Sequence, residues 1–458
     1  METHADRRVF LSTAGATALT AATYARVRGA NERVGIGIIG YGLIGQTHVT
    51  TFSQLPEATV VAIADCHRGR VKEGVAATGG RATGYTDFRK LLDSKDVHAV
   101  IVATPDHWHA LMTMLACDAG KDVYVEKPLT LFVREGQWMQ TVAARTQRVI
   151  QVGTQQRSGP HYQKARDLIR RGHIGTVVSV RMPSIRNIAP GFGSPPDGPP
   201  PAELDYNLWL GPAPLRPYNP HRALYHFRWF WDYSGGQMTN LGAHHLDIVD
   251  WILGLQSLQA VMSIGGRYAL TDNGETPDTQ DALFDGQTFS AAFVMREAAH
   301  GERAEFGLTF YGTRGSLTIN RSGFRVTPDP NTPAAQQIPG AKEGHPAGGP
   351  KAEPRAGPDQ PRTEALEDTT GRSAAQYRAH ARNFLECIKS RKTPIADLAS
   401  AHRTAVACHL ANLSLQLGRS LRWDWQTHRV PHDAEANQRL TRPYRAPWDK
   451  ELQALGVG

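Results

Sequence analysis

The stretch "RVGIGIIGYGLIG", from Arg33 to Gly45, decides the fold of this 458-residue chain. Its first half is an apolar run rich in isoleucine, which predicts a buried strand, and the residues after it have helical character. Gly40, Gly42 and Gly45 stand between the two in a G-x-G-x-x-G spacing. A strand, a glycine turn and a helix in this order indicate a binding loop for the pyrophosphate of a dinucleotide, because the helix N-terminus offers free N–H groups.

Four further runs rich in valine and isoleucine follow, with helix-like segments between them. They cover residues 59–65, 98–104, 122–125 and 148–153. Runs that are apolar on both faces and alternate with helices predict a parallel sheet covered on both sides. We therefore predict an α/β protein whose residues 31–155 form a doubly wound Rossmann domain that binds NAD(P).

The pattern changes after residue 155 to longer strand-like runs separated by turn signals. We predict an α+β domain over residues 156–425, built on an open, mostly antiparallel sheet, with closing helices near residues 376–390 and 399–417. Residues 327–371 are crowded with Pro, Gly and Ala and lack periodicity, which predicts a disordered segment or loop insertion. Residues 426–458 are predicted to form an extended C-terminal tail.

Charge and hydropathy narrow the class of protein. The formal net charge is +8, but the arginines are scattered and do not form the clustered basic face of a nucleic-acid-binding protein, so we expect no nucleic-acid partner. There is no apolar run long enough for a membrane span. Residues 1–30 carry Arg7 and Arg8 ahead of an Ala- and Thr-rich stretch, which predicts a twin-arginine signal and a periplasmic or otherwise exported protein. A frayed N-terminal helix is the alternative.

Asp65 lies twenty residues after Gly45, at the end of the second predicted strand. A carboxylate there accepts hydrogen bonds from the ribose hydroxyls and favours NAD over NADP. Arg68 and Arg70 weaken this preference, because they are placed to reach a 2′-phosphate. The residues predicted to contact the cofactor are Gly40, Gly42, Leu43, Ile44, Gly45, Asp65, Thr104, Pro105, His109, Glu126 and Lys127.

We predict no metal site. His107 and His109 form a His-x-His pair, but they precede a helix, and we interpret them as histidines that line the cleft. The four cysteines lie far apart and form no C-x-x-C motif.

Glu126, Lys127 and Pro128 follow directly after the strand at residues 122–125. A lysine is costly to bury unless it is paired or functional. One interpretation is a simple ion pair at the end of the strand. The other is catalysis, because the strand brings Lys127 to the edge of the sheet where the nicotinamide is expected. There a lysine can stabilise a developing alkoxide or relay its proton.

The motifs "GYGLIG", "TPDHWH", "EKP" and "GGQMTNLGAHHLDIVDWILG" (residues 235–254), in this order, resemble the Gfo/Idh/MocA family, which includes glucose–fructose oxidoreductase and inositol dehydrogenase. "QVGTQQRSG" and "LDYNLWLGPAP" resemble the exported, twin-arginine branch of that family. The resemblance spans nearly the whole chain after the signal. It implies the two-domain fold predicted above, with substrate and oligomer contacts on the open sheet of a homo-oligomer, either a dimer or a tetramer.

The resemblance also implies roles for individual residues. Lys127 would orient and polarise the substrate alcohol. The family motif carries an Asp and, four residues later, a His, and this chain has Asn240 and His244 at those positions. His244 would accept the proton of the alcohol, unless it is a core histidine. Asn240 cannot take a proton but can hydrogen-bond a sugar hydroxyl. The remaining predicted substrate contacts are Gln155, Arg157, Tyr162, His245 and Asp247.

Together these observations predict an NAD-dependent oxidoreductase, with NADP possible, that acts on a CH–OH group of a sugar, glycoside or polyol. Export implies a tightly bound cofactor, because no free NAD pool exists outside the cytoplasm. Two alternatives stay open. One is an NAD-dependent glycosidase that oxidises its substrate transiently at C3 and then eliminates the aglycone. The other is a non-catalytic sugar-binding or NAD-sensing protein.

Overall fold

The computed structural model describes residues 33–299, 307–329 and 363–458. The predicted signal at residues 1–30 and residues 330–362 of the predicted insertion lie outside the described residues. The first domain is built on six parallel strands in the order β3-β2-β1-β4-β5-β6. They are β1 (Val34–Ile39), β2 (Ala58–Ala64), β3 (Thr83–Tyr85), β4 (Ala99–Val102), β5 (Asp122–Val125) and β6 (Ile150–Val152).

Helices cover both faces of this sheet, which explains why every residue of β1, β4 and β5 is buried. They are α1 (Leu43–Ser53), α2 (Arg68–Ala77), α3 (Phe88–Leu92), α4 (Asp106–Asp118) and α5 (Val133–Thr146). The strand order changes direction between β1 and β4. The carboxyl ends of these strands therefore open a crevice in which sheets of this kind bind their ligands. The predicted Rossmann architecture is confirmed.

The second domain contains a nine-stranded sheet in the order β14-β13-β12-β11-β7-β10-β9-β8-β15. Only β7 and β10 pair in parallel, and all other neighbours are antiparallel. The strands are β7 (Val177–Ile185), β8 (Ala260–Gly266), β9 (Thr279–Asp285), β10 (Ser290–Arg296), β11 (Gly307–Gly312), β12 (Gly315–Asn320), β13 (Gly323–Pro328), β14 (Leu366–Asp368) and β15 (Leu421–Arg422). The predicted α+β domain with a mostly antiparallel sheet is confirmed.

Helices pack on one face of this sheet and share its apolar core. They are α6 (Pro160–Arg170), α8 (Ala243–Leu253) and α10 (Leu398–Leu417). Two other helices of this part of the chain pack elsewhere: α7 (Tyr206–Leu210) lies in a separate aromatic cluster, and α9 (Ser373–Ser390) packs against the first domain. The opposite face exposes apolar side chains, with Met262 49%, Ile264 61% and Leu283 59% exposed. Among the described residues, every helix is too short or too polar to span a bilayer.

Two predictions about the C-terminal part need correction. Leu366–Asp368, inside the predicted loop insertion, forms the edge strand β14, where it pairs with β13. The tail is not extended, because it contains α11 (Ala434–Gln438) and α12 (Trp448–Ala454). Trp448 and Leu452 are buried in the core of the first domain. These helices are short, and their stability comes from packing against residues distant in sequence.

A loop-rich stretch of the second domain, residues 202–228, lies across the first domain, and we call it the cap segment. The Arg68 N–H donates to the Glu203 carbonyl at 2.9 Å, and the Asp205 N–H donates to the Cys66 carbonyl at 2.9 Å. An aromatic cluster that includes Trp209 and Phe227 anchors the cap segment. The cap segment therefore closes one side of the crevice at the carboxyl ends of β1 and β2.

Candidate active site

A side chain at each of the three glycines of the first loop would meet different surroundings. Gly40 has φ +94°, and a Cβ there would lie 2.5 Å from the Ala103 carbonyl oxygen. A Cβ on Gly45 would lie 2.0 Å from the carbonyl oxygen of Gly40, so α1 can approach β1 only without a side chain. A Cβ on Gly42 would meet nothing closer than Arg70 Nη1 at 3.7 Å and would enter the crevice itself.

The N-terminus of α1 is suited to an anion. Gly42 is its N-cap, and no side chain of the described residues caps it. The first N–H groups of the helix are therefore available to a diphosphate, and they are aided by the positive end of the helix dipole. A cleft opens here, and its wall includes Gly40, Gly42, Leu43, Ile44, Thr104 and Pro105. These residues fit the dinucleotide predicted from the sequence.

Asp65 also lines the cleft, at the end of β2. Its two carboxylate oxygens accept hydrogen bonds from the N–H groups of Tyr41 and His67, both at 2.8 Å. The carboxylate is thereby fixed beside the glycine loop. Of the two arginines near it, Arg68 donates to the Ala202 carbonyl at 2.6 Å, whereas Arg70 lines the cleft. Only Arg70 therefore stays available to a 2′-phosphate.

The histidines of the His-x-His pair point away from each other. His109 Nδ1 lies 2.6 Å from the Pro128 carbonyl and its Nε2 lies 2.9 Å from the Thr104 carbonyl. His109 thus joins two loops, and it is not among the residues that line the cleft. His107 Nε2 lies 3.0 Å from the Trp209 carbonyl, and burial lowers the pKa of His107 to about 3. No group of three potential metal ligands occurs in the described parts of the chain.

Glu126 and Lys127 do not pair with each other through their side chains. Glu126 Oε1 lies 2.7 Å from Nε2 of His48, and its Oε2 accepts the Lys127 N–H at 3.1 Å. Although burial alone would raise it, the hydrogen bond with His48 keeps the pKa of Glu126 below its ordinary value. The sequence analysis missed His48. It stands on the buried face of α1, one turn after Gly45, and that position was its only signal.

Lys127 lies just beyond the end of β5 and reaches the second domain. Its Nζ donates to Asn240 Oδ1 at 2.7 Å and to the Asn240 carbonyl at 3.1 Å. Burial lowers the pKa of Lys127 to about 8, and the positive charge of Arg228 acts in the same direction. Arg228, on the cap segment, also lines the dinucleotide cleft. Lys127 is therefore a lysine with accessible protonated and neutral forms near the predicted cofactor.

Asn240 and His244 stand four residues apart on a continuous helical stretch. Residues Met238–Gly242 form one π-helical turn, a feature that is frequent at functional sites, and α8 follows directly. His244 is buried, and burial together with the charges of Lys127 and Arg321 holds the pKa of His244 well below its ordinary value. A neutral imidazole in this place can accept a proton.

The five predicted substrate contacts lie in a buried layer beneath these groups. Arg157 is 2% exposed, and its guanidinium binds Asp247 at 2.8 Å. Tyr162 accepts a hydrogen bond from Gln156 at 2.8 Å. Burial lowers the pKa of His245 to about 3. Gln155 is buried as well. Arg157 and Asp247 therefore form a buried ion pair, because a buried charge needs a counter-charge.

Two models of one oxidoreductase family match the chain. The first, described as an oxidoreductase family with an NAD-binding Rossmann fold, matches residues 34–154. The second, described as the C-terminal alpha/beta domain of that family, matches residues 194–264 and 368–450. Together they cover more than half of the chain, and each falls on one of the two domains described above.

Similar proteins include dehydrogenases of cyclic polyols. The chain is 25% identical over 316 residues to levoglucosan dehydrogenase from Pseudarthrobacter phenanthrenivorans, covering 63% of this chain and 74% of that protein. It is 27% identical over 298 residues to scyllo-inositol 2-dehydrogenase (NAD⁺) from Bacillus subtilis, covering 63% and 74%. The solved structure of levoglucosan dehydrogenase with NADH and levoglucosan has a TM-score of 0.64 at 18% identity and covers 88% of this chain and 100% of that one. This last likeness concerns the fold.

Proposed function

Because the chain belongs to the Gfo/Idh/MocA family of NAD(P)-dependent oxidoreductases, we propose that it transfers a hydride between a nicotinamide cofactor and a CH–OH group of a sugar, glycoside or polyol. One observation carries the proposal. Just beyond the end of β5, Lys127 has a pKa lowered to about 8 by burial, and burial together with the charge of Lys127 lowers the pKa of His244. This combination of a donor and a proton acceptor suits the oxidation of an alcohol.

The substrate class rests on the relatives. Levoglucosan and scyllo-inositol, named for two of them, are both ring compounds with several hydroxyl groups. We carry this class over to the present chain, where Lys127 and Asn240 offer polar contacts to hydroxyl groups. Donors and acceptors next to each other allow one hydroxyl to be held through both its oxygen and its hydrogen.

The residues of this chain divide the work as follows. NAD, when bound, supplies the hydride acceptor. Lys127 donates a hydrogen bond to the alcohol oxygen and stabilises the negative charge that develops on it. His244 accepts the proton that leaves this oxygen, since its imidazole is neutral at physiological pH. In the reverse direction the same groups protonate a carbonyl oxygen.

We also propose that NAD is preferred over NADP and is held tightly. Asp65 would repel a 2′-phosphate, although Arg70 on the cleft wall moderates this repulsion. The cap segment supports tight binding, because Tyr225, Phe227 and Arg228 form part of the wall of the same cleft. A ligand enclosed between two domains dissociates only when the enclosing segment moves.

Native mass spectrometry of the purified full chain, followed by single-turnover nicotinamide absorbance with a panel of free sugars, polyols and glycosides, tests the proposal. We expect the mass of one NAD per chain and a cofactor that is reduced by at least one polyol. Absence of any absorbance change, with sugar binding retained, would instead support a non-catalytic binding protein. Release of an aglycone without net reduction of the cofactor would support the glycosidase.

Two further expectations from the sequence stand as proposals. Twin-arginine export is tested by fusing residues 1–30 to a reporter and replacing Arg7 and Arg8 by lysine, which should keep the reporter in the cytoplasm. A dimer or tetramer is supported by the open sheet face with Met262, Ile264 and Leu283 exposed, since apolar patches of this kind often form interfaces. Light scattering of wild type and of Leu283→Glu tests this, and loss of the oligomer in the variant is expected.

A further inference from the structure

A chain of polar side chains runs from the half-buried Lys127 to a fully buried glutamate of the second domain. Lys127 Nζ donates to Asn240 Oδ1 at 2.7 Å, and Asn240 Nδ2 donates to Gln237 Oε1 at 3.0 Å. Gln237 Nε2 in turn donates to Glu297 Oε1 at 2.9 Å. Gln237 and Glu297 are each 1% exposed. Neither residue was singled out from the sequence, because Glu297 lies beyond the end of β10, far along the chain.

The two ends of this chain fix its direction. A lysine ammonium group can only donate hydrogen bonds, and a carboxylate can only accept them. Glu297 is confirmed as the accepting end by its other partners, because Trp229 Nε1 donates to its Oε2 at 2.7 Å and the Arg186 guanidinium binds its Oε1. Between a donor and an acceptor, two amides can align in one order only.

The alternative orders all contain a clash. If the amide of Asn240 turned over, its NH₂ group would face the ammonium group of Lys127, and its oxygen would face the oxygen of Gln237. If both amides turned over, Gln237 would present its oxygen to the Glu297 carboxylate. Contacts between two donors or two acceptors cost free energy, and Lys127 would lose its 2.7 Å acceptor and keep only the Asn240 carbonyl at 3.1 Å within the described residues.

We infer that Gln237 and Glu297 are positioning residues that hold the acceptor end of Asn240 on Lys127. This deepens the proposed function, on which its consequences for turnover rest. The negative charge that the family motif places at position 240 is replaced here by a neutral amide, and the carboxylate stands two side chains further back, at Glu297. Lys127 thereby keeps a fixed neutral acceptor, and the Glu126 carboxylate, which raises the pKa of Lys127, acts without a hydrogen bond to the ammonium group.

The inference explains why an amide, rather than a carboxylate, suits position 240. An aspartate has an oxygen at both ends, so one of them would face Gln237 Oε1, which is itself directed by Glu297. The donor and acceptor ends of Asn240, Gln237 and Glu297 are therefore aligned along one hydrogen-bonded chain. An experiment can measure whether a change at one of these residues alters the effect of a change at another.

The experiment measures the pKa of Lys127 directly, by pH-dependent acetylation of the intact full chain and mass spectrometry of the peptide that contains it. This readout needs no substrate, so it is independent of the proposed reaction. Gln237→Met removes both amide ends at nearly constant volume, and Asn240 can then turn over. We expect the pKa of Lys127 to fall by about one in this variant, the equivalent of one lost hydrogen bond to a charged group.

The decisive comparison is with Asn240→Asp as the background. A carboxylate offers an oxygen in either orientation, so adding Gln237→Met to Asn240→Asp should leave the pKa of Lys127 unchanged or raise it. An equal fall in both backgrounds, or no fall in either, would show that Gln237 only fills space and would overturn the inference. If Gln237→Met does not yield folded protein by circular dichroism, Gln237→Asn, which is too short to bridge both partners, serves in the same cycle.

Turnover gives a second readout once a substrate is known. Gln237→Met should lower kcat about tenfold with KM nearly unchanged, because the orientation of Lys127 matters most when charge develops on the substrate oxygen. If wild-type protein shows no turnover at all, the proposed function fails while the acetylation result stands. If turnover is found but Lys127 titrates alike in all variants, the positioning role fails alone.

Discussion

Lys127 and Arg157 are two cations, the first half-buried and the second fully buried, that follow the neighbouring parallel strands β5 and β6, and their surroundings differ. Arg157 binds the carboxylate of Asp247 at 2.8 Å and lies 3.7 Å from that of Asp250. Within the described residues, the ammonium group of Lys127 donates only to the neutral amide and carbonyl oxygens of Asn240, and the Glu126 carboxylate acts on it without a hydrogen bond. Burial lowers the pKa of Lys127 to about 8.

The difference separates a structural cation from a reactive one. A guanidinium group with adjacent carboxylates is neutralised in place and links α8 to the loop after β6. An ammonium group with neutral acceptors remains partly uncompensated, so its proton can leave near physiological pH. From the sequence, Lys127 is predicted to be catalytic and Arg157 to contact the substrate, and the counter-charges in the structure distinguish the two residues.

The largest effect is expected on catalysis, when Lys127, the reactive cation, is replaced. Lys127→Met should lower kcat for alcohol oxidation by about 10²–10⁴-fold, because a positioned acid–base group is removed, while the protein stays folded. Single-turnover reduction of the bound cofactor measures it. Lys121→Met is the matched control, since Lys121 lies before the same strand and also donates to carbonyl oxygens, those of Ser94 and Val97. Equal rates for Lys127→Met and wild type would make Lys127 structural.

The next largest effect is expected on stability, when Arg157, the structural cation, is replaced. Arg157→Met leaves Asp247 and its neighbour Asp250 buried with less positive charge, so we expect a loss of about 3–5 kcal/mol in the free energy of unfolding. Urea unfolding followed by tryptophan fluorescence measures it. The double variant Arg157→Met/Asp247→Leu removes the stranded charge and should regain much of the loss. If the single variant is as stable as wild type, the ion pair between the loop after β6 and α8 does not stabilise the fold.

The smallest effect concerns stability against pH. The pKa of Lys127 in the folded protein, about 8, lies below its ordinary value of 10.5, so both states carry the proton below the lower value. Between the two values the unfolded chain binds more protons, and stability therefore rises with pH in that window. Lys127→Met lacks this dependence. Its Tm should exceed that of wild type most below about pH 8, with the gain shrinking as pH rises toward 10.5.

Thermal melts across that range, with Lys90→Met as an exposed control, measure this difference. The Lys90 side chain is 73% exposed and its ion pair with Asp93 lies at the surface, so its replacement should change Tm by only a small amount. If the Tm gain of Lys127→Met does not change with pH, protonation of Lys127 does not destabilise the folded protein. In that case Lys127 would resemble Arg157 rather than differ from it.

The parts of the fold and the site that could be predicted are those governed by local chain geometry. The glycine loop was predictable because Gly40 and Gly45 meet backbone atoms that any side chain would displace. Lys127 was predictable as the residue that ends a buried strand. The C-terminal tail was mispredicted as extended, because α11 and α12 are short and Trp448 packs into a core formed by the first domain.

The sequence by itself determined the two-domain architecture, the dinucleotide loop and the positions of Lys127, Asn240 and His244 along the chain, because periodicity and glycine spacing act over short distances. Only the tertiary structure decided the partners. Glu126 pairs with His48, and Arg157 binds Asp247. Asn240 is linked through Gln237 to Glu297. Hydrogen bonds and ion pairs join groups that are near in space, and no local pattern records which distant residue supplies the matching donor or charge.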